Sequence, residues 1–142
     1  MRKRYLKIVA VLLCFLMLCN ISTRAYALEP YASSQIAGHS ATLDKGSDGY
    51  LYVMFTIDTN RVMNVLGASS VVIQRYSLFQ WVNERTITPE EMPELLKSNT
   101  GSHVLIILYK PLFPNAKYRA VVNFYAESDT MISRVTDTTD TV

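Results

Sequence analysis

Cysteine is nearly absent from this chain of 142 residues: Cys14 and Cys19 are its only two, and both fall within the first 27 positions. Everything downstream therefore has no disulfide, no thiol nucleophile and no cysteine metal ligand. Histidine is equally scarce, with His39 and His103 alone, so the clustered ligand spacing of a zinc site is missing. No cofactor motif is present, and no cofactor is expected. Nor is there length for a large catalytic fold, since a TIM barrel takes about 250 residues. After residue 27 no long apolar run occurs, which excludes a stable membrane span there.

The first 27 residues carry what the rest lacks. Arg2, Lys3, Arg4 and Lys7 precede an apolar run from Ile8 to Leu18, and a polar stretch then leads to Ala25, Tyr26 and Ala27. That order is a signal peptide's, and the small residues Ala25 and Ala27 predict cleavage after Ala27. The apolar run would rise about 16 Å as a helix, short of a hydrocarbon layer roughly 30 Å thick, so an uncleaved anchor is disfavoured. A lipoprotein signal would place a small residue before Cys19, where Leu18 stands. The expected organisation is a signal peptide over 1–27 and one domain over 28–142, exported to the cell envelope or beyond it.

Removing the signal reverses the charge. It holds five of the 14 basic residues and none of the 12 acidic ones, so residues 28–142 carry nine against 12, a net −3. No basic stripe survives to neutralise a row of phosphates, and nucleic acid is excluded as an expected partner.

The domain reads as β structure. From Tyr50 to Asp58, Leu51, Val53, Phe55 and Ile57 alternate with Tyr50, Tyr52, Met54 and Thr56, the period-two pattern of a half-buried strand. The cluster Asp44 to Gly49 supplies turn residues, so a strand over about Gln35–Leu43 is expected to pair back across it. A second hairpin is expected between Ser69–Tyr76 and Gln80–Ile87. Thr88, Pro89, Glu90 and Glu91 have capping-box spacing with proline at the first helical position, and predict a short helix that Pro93 limits to a turn or two. Further strands are expected over His103–Tyr109, Tyr118–Glu127 and about Met131–Thr138, with Thr138 to Val142 frayed. Seven short strands with turns between them predict an antiparallel immunoglobulin-like β-sandwich.

Leu112, Pro114 and Tyr118, followed by the alternating Ala120, Val122, Phe124 and Ala126, resemble the corner and following strand of a fibronectin type III domain. The resemblance implies a tyrosine corner, with the Tyr118 hydroxyl bonded back to the upstream backbone. Leu51, Val53 and Phe55 resemble that family's B strand, with phenylalanine where tryptophan is usual. The chain also resembles small uncharacterised secreted β-sandwich proteins of Gram-positive bacteria, through Glu29, Pro30 and Tyr31, then Gly67, Ala68, Ser69 and Ser70, then Phe124, Tyr125 and Ala126. These resemblances imply a contact or spacer module and no known activity.

Candidate chemistry is thin. Gly67 to Ser70 lacks the glycine-x-serine-x-glycine frame of a nucleophile elbow, and the enzyme alternative is a small hydrolase built on His39 or His103. Asp44 and Asp48 do not have EF-hand spacing and are explained by the turn, and Glu90, Glu91 and Glu94 read as a solvated cluster. The aromatics are more suggestive. Tyr50 and Tyr52 fall opposite the expected core face, and Tyr76, Phe79 and Trp81 gather at one hairpin, where Trp81 suits either the core or a surface. The expected function is thus a monomeric, non-enzymatic module contacting a protein or an extracellular glycan, with an assembly subunit pairing through edge strands as the alternative.

Overall fold

A single strand runs through the middle of the molecule and organises everything else. The computed structural model of the chain describes residues 35–142; the expected signal segment with Ala25 and Ala27, and the Glu29 to Tyr31 stretch, lie outside the described residues. Six strands form: β1 Ile36–Lys45, β2 Leu51–Ser77, β3 Gln80–Ile87, β4 Leu96–Tyr109, β5 Tyr118–Glu127 and β6 Ile132–Thr138. The stretches read as separate strands at Tyr50–Asp58 and Ser69–Tyr76 are two parts of the 27-residue β2. The reason lies between them: from Asn60 to Leu66 there is neither proline nor glycine to stop the strand, and Met63 and Leu66 keep it anchored to the core.

All six strands belong to one antiparallel sheet, curled upon itself. The first part of β2 pairs with β1, Asp44 opposite Tyr52, and with the end of β4, Phe55 opposite Leu105. Its last part pairs with β5, Val71 opposite Val122, and with β3, Tyr76 opposite Trp81; β6 then extends β5. The curl brings the first part of β2 over β5, where the Phe55 and Phe124 rings meet edge-on with centroids 5.8 Å apart. Leu51, Val53, Phe55 and Ile57 thus share a core with Val71, Ile73, Ala120, Val122 and Phe124, all fully buried. Each large apolar side chain so buried contributes about 1.5–3 kcal/mol, and residues 33–142 form a compact unit around this core.

Gly67 is the point where the curl is made. It lies opposite both Leu96 of β4 and Tyr125 of β5, at a φ of +152°. A Cβ there would stand 2.0 Å from the Leu95 carbonyl oxygen, so only glycine lets β4 start this close to β2. A register shift follows between Ala68 and Ser70, and Ser69 and Ser70 hold Asn123 of β5, the first donating to its carbonyl at 3.1 Å and the second accepting from its amide at 2.8 Å. The Gly67 to Ser70 motif is therefore a bend in a strand.

Two expectations about irregular segments change. In place of the short helix from Thr88, a turn is closed by the Glu91 and Met92 amides on the Thr88 carbonyl, each at 3.0 Å, followed by one 3₁₀ turn over Pro93–Leu95. Pro93 removes the amide that an α-helix would use at that position. The chain end is not frayed: Thr139 donates from its amide to Ala120 O at 2.9 Å, and Val142 and Tyr118 exchange two backbone bonds of 2.9 and 3.0 Å. Residues 139–142 thereby continue the ladder along β5, satisfying backbone groups that the apolar end of the sheet would otherwise leave bare.

Candidate contact surface

The turn joining β2 to β3 is made by Leu78 and Phe79 alone, with Ser77 opposite Gln80. Both turn residues have left-handed backbones, φ +49° and +66°, the two positive values that a type I′ hairpin requires. Such turns favour Asn-Gly because bulky side chains are strained there. Yet Leu78 and Phe79 are 86% and 94% exposed and recover nothing by burial.

Just behind this tip, Tyr76 and Trp81 pair across the strands with rings tilted edge-to-face, centroids 5.3 Å apart. The Arg119 guanidinium lies 4.3 Å from the Trp81 centroid while its Nε donates to Gln74 at 2.7 Å. Trp81 is thus an outer-face residue, partly exposed, rather than the core tryptophan of the fold. Arg75 lies over the Phe113 ring at 4.1 Å, and the Tyr76 amide donates to the Lys117 carbonyl at 2.9 Å. These contacts tie the loop of residues 110–117, with Leu112 and Phe113 exposed, to the hairpin stem.

Tyr50 and Tyr52 sit elsewhere, at the turn between β1 and β2. Asp48 there accepts the Tyr50 amide at 3.1 Å and the Tyr52 hydroxyl. The Tyr52 bond holds the Asp48 carboxyl below its ordinary range and raises the phenol in return. Tyr52 is thereby committed to the turn, while Tyr50 has the Lys110 ammonium 6.0 Å from its ring. The structure does not gather Tyr50, Tyr52, Tyr76 and Trp81 into one shared ring cluster.

Glu84 on β3 is the most heavily used polar side chain among the described residues. Only 5% of its side chain is exposed. It receives Arg75 Nε at 2.8 Å, the Tyr109 hydroxyl at 2.9 Å, the Tyr118 hydroxyl at 3.0 Å and the Leu112 amide at 3.2 Å. Burial alone would raise this carboxyl, but the Leu112, Tyr109, Tyr118 and Arg75 donors outweigh it and hold it below its usual range. Burial and then the Glu84 bond push the Tyr109 phenol up to about 12. The Tyr118 hydroxyl also accepts the Phe113 amide at 3.3 Å, a bond back to upstream backbone of the kind the corner resemblance implies. Leu112 is exposed instead of packed, and Pro114 accepts the Lys45 ammonium on its carbonyl. Glu84 carried no signal in the sequence, since its four donors come from β2, β4, the loop of residues 110–117 and β5.

The histidines are apart. His103 is buried, its Nε2 2.8 Å from the Glu94 carbonyl and its ring edge-on to Phe55 at 5.5 Å. His39 is exposed on β1, 3.8 Å from Asp137, whose carboxylate also accepts the Ala41 amide at 3.1 Å and so links β1 to β6. Among the described residues no group of three or more His, Cys, Asp or Glu is placed to hold a metal, and no helix is long and apolar enough to cross a membrane.

One face of β4 stands out. His103 and Ile107 point into the core, whereas Val104, Ile106 and Leu108 face outward, 54%, 53% and 58% exposed. Their neighbours on β2 are Thr56, Met54 and Tyr52, with Met54 also exposed. A strand with one wet face normally alternates apolar and polar residues, but 104–108 is apolar throughout. Opposite β2, this strand has no backbone partner among the described residues. Between Val104 and Tyr109 the usual protections of an edge, a charge, a lysine or a proline, are missing; Lys97 lies at the start of the strand, and Lys110 and Pro111 follow its end. Sequence reasoning missed this because an unbroken apolar run reads as a strand covered on both faces.

Comparison of the chain with family models, curated proteins and solved structures gives no match.

Proposed function

We propose that this chain is an exported protein that works by contact and not by catalysis, and that its contact element is the open edge and outer face of β4. The observation carrying this is the row Val104, Ile106 and Leu108, each more than half exposed on a strand with one edge unpaired. Monomers rarely leave contiguous apolar patches of more than a few hundred Å² in water. An antiparallel strand added to that edge would supply the missing ladder bonds and cover the row.

A second copy of the chain meets this description, and self-pairing takes the place of the monomer expected from sequence. In a two-fold antiparallel pair centred on Ile106, Val104 faces Leu108 and no charged residue lies between Ser102 and Tyr109. Light scattering across a concentration series tests it. The expected result is a mass rising toward twice that of one chain, abolished by Ile106→Lys, which alters a side chain the isolated fold already exposes. A single-chain mass at every concentration, unchanged by the substitution, contradicts it.

The fold reading goes with this proposal. Packing of Phe55 on Phe124 across the curl supports a sandwich-like two-layer core, and the Tyr118 bond to Phe113 supports a fibronectin type III-like corner. The glycan alternative rests on Tyr50, Tyr52, Tyr76 and Trp81, which are divided between two turns and make no single stacking platform, so the protein reading is favoured. The hydrolase alternative has no comparable support: among the described residues neither imidazole has a serine or threonine hydroxyl as hydrogen-bond partner.

A further inference from the structure

From the β2–β3 hairpin we infer a second contact site, one that takes the surface of an anionic lipid bilayer. The turn is built against its own backbone preferences. Two large apolar residues occupy both left-handed positions and leave their side chains almost wholly in water, with φ +49° and +66° and exposures of 86% and 94%. A hairpin selected for stability would carry Asn-Gly there. Strain maintained without burial in return points to a binding partner that supplies the burial.

The order of residues behind the tip names the partner's chemistry. Leu78 and Phe79 come first. Two residues back, about 7 Å along the strands, the Tyr76 and Trp81 rings stand side by side. Next to them lie cations, Arg119 over the Trp81 ring and Lys117 bonded through its carbonyl to the Tyr76 amide. Apolar tip, aromatic pair with polar edges, then cationic groups is the layering of a bilayer interface, where a peripheral segment buries its apolar part about 5–10 Å deep, Trp and Tyr sit at headgroup level and Lys or Arg meet anionic headgroups. A protein pocket demands no such order. The neighbouring loop adds Leu112 and Phe113, both exposed.

Charge agrees. Residues 75–83 and 110–119 contain Arg75, Lys110, Lys117 and Arg119 and not one acidic residue, in a region, 35–142, where 11 acidic residues outnumber nine basic ones. Glu84 neutralises Arg75 at 2.8 Å and Lys110 lies beside the Tyr50 ring, which leaves Lys117 and Arg119 to face phosphate headgroups. The site uses different residues from the β4 edge and stands or falls without it.

The test is vesicle sedimentation with residues 33–142, which enclose the whole described core and omit the apolar leader that would itself bind lipid. Vesicles of phosphatidylcholine alone are compared with an equimolar phosphatidylcholine–phosphatidylglycerol mixture. The chain's single tryptophan, Trp81, reports the hairpin directly, and its emission should shift to the blue only with the anionic vesicles. Leu78→Asn with Phe79→Gly installs the turn's preferred residues, so folding is retained while partitioning should fall by at least about tenfold. Lys117→Glu should lower it by about fivefold on the anionic vesicles. Phe79→Ser serves as a second tip variant. Absence of partitioning onto either vesicle, as a protein pocket or no partner at all would give, overturns the inference. So does a tip variant that sediments like the unaltered protein.

Discussion

The two hairpins made by β2 close in opposite ways. At its start, the turn from Gly46 to Gly49 uses flexible backbone where φ reaches +81°, and Asp48 ties the Tyr50 amide and the Tyr52 hydroxyl into it. At its end, the same strand turns through Leu78 and Phe79, whose side chains stand in water. In the first turn every residue type agrees with the local geometry; in the second, both oppose it. Local disagreement of that kind in an otherwise consistent sheet marks where stability has been given up for another purpose.

The strongest way to break the comparison is to remove the joint that lets one strand serve both hairpins. Gly67→Ala places a methyl carbon against the Leu95 carbonyl, and should cost about 3 kcal/mol or more in urea unfolding. A variant unfolding at the same midpoint would show that the bend at Gly67 is not needed.

Next comes the anchor of the second hairpin. Glu84→Gln leaves Arg75 without its carboxylate and the Tyr109 and Tyr118 hydroxyls with a poorer acceptor, at a cost of about 3 kcal/mol. The pH dependence follows from the shifts. Because the folded Glu84 carboxyl lies below its ordinary 4.5, the unfolded chain binds more protons there, so the contribution is present above pH 4.5 and is lost as pH falls below it. Tyr109 acts at the other side: raised from 10.0 to about 12, it contributes stability below pH 10 that is lost as pH climbs toward 12. Unfolding midpoints across pH should therefore fall at both extremes, and the Gln variant should flatten the acid side. An acid limb unchanged in that variant would remove Glu84 from the account.

A smaller effect sharpens the first hairpin. Asp48→Ala removes a solvent-exposed cap, and should lower the melting temperature less than either change above.

How far all this was legible depends on the range over which each signal acts. Leu51, Val53, Phe55 and Ile57 announce their strand and their buried face because alternation is local. The bond of Tyr118 to upstream backbone was expected only through the resemblance of Leu112, Pro114 and Tyr118 to a fibronectin type III corner, and its partner is Phe113. The unity of β2 was not legible, because the apolar and polar residues from Thr59 to Ala68 lack a clear period-two alternation, and only the approach of Leu95 shows why Gly67 is there. Glu84 gathers donors 9 to 34 positions distant, and the pairing of 139–142 with β5 likewise depends on the assembled sheet. The aromatic candidates divided accordingly. Tyr76 and Trp81 meet because they pair across one hairpin, while Tyr50 and Tyr52 belong to the other end of β2.

The contrast between the two turns is tested most directly by thermal unfolding of the double variant Leu78→Asn, Phe79→Gly beside the unaltered residues 33–142. If the tip is kept for contact, relieving its strain should raise stability by about 1 kcal/mol, a melting temperature higher by about 4 °C for a domain of this size. A lower melting temperature would show that Leu78 and Phe79 hold the fold together, and would contradict the claim that this hairpin is shaped for binding.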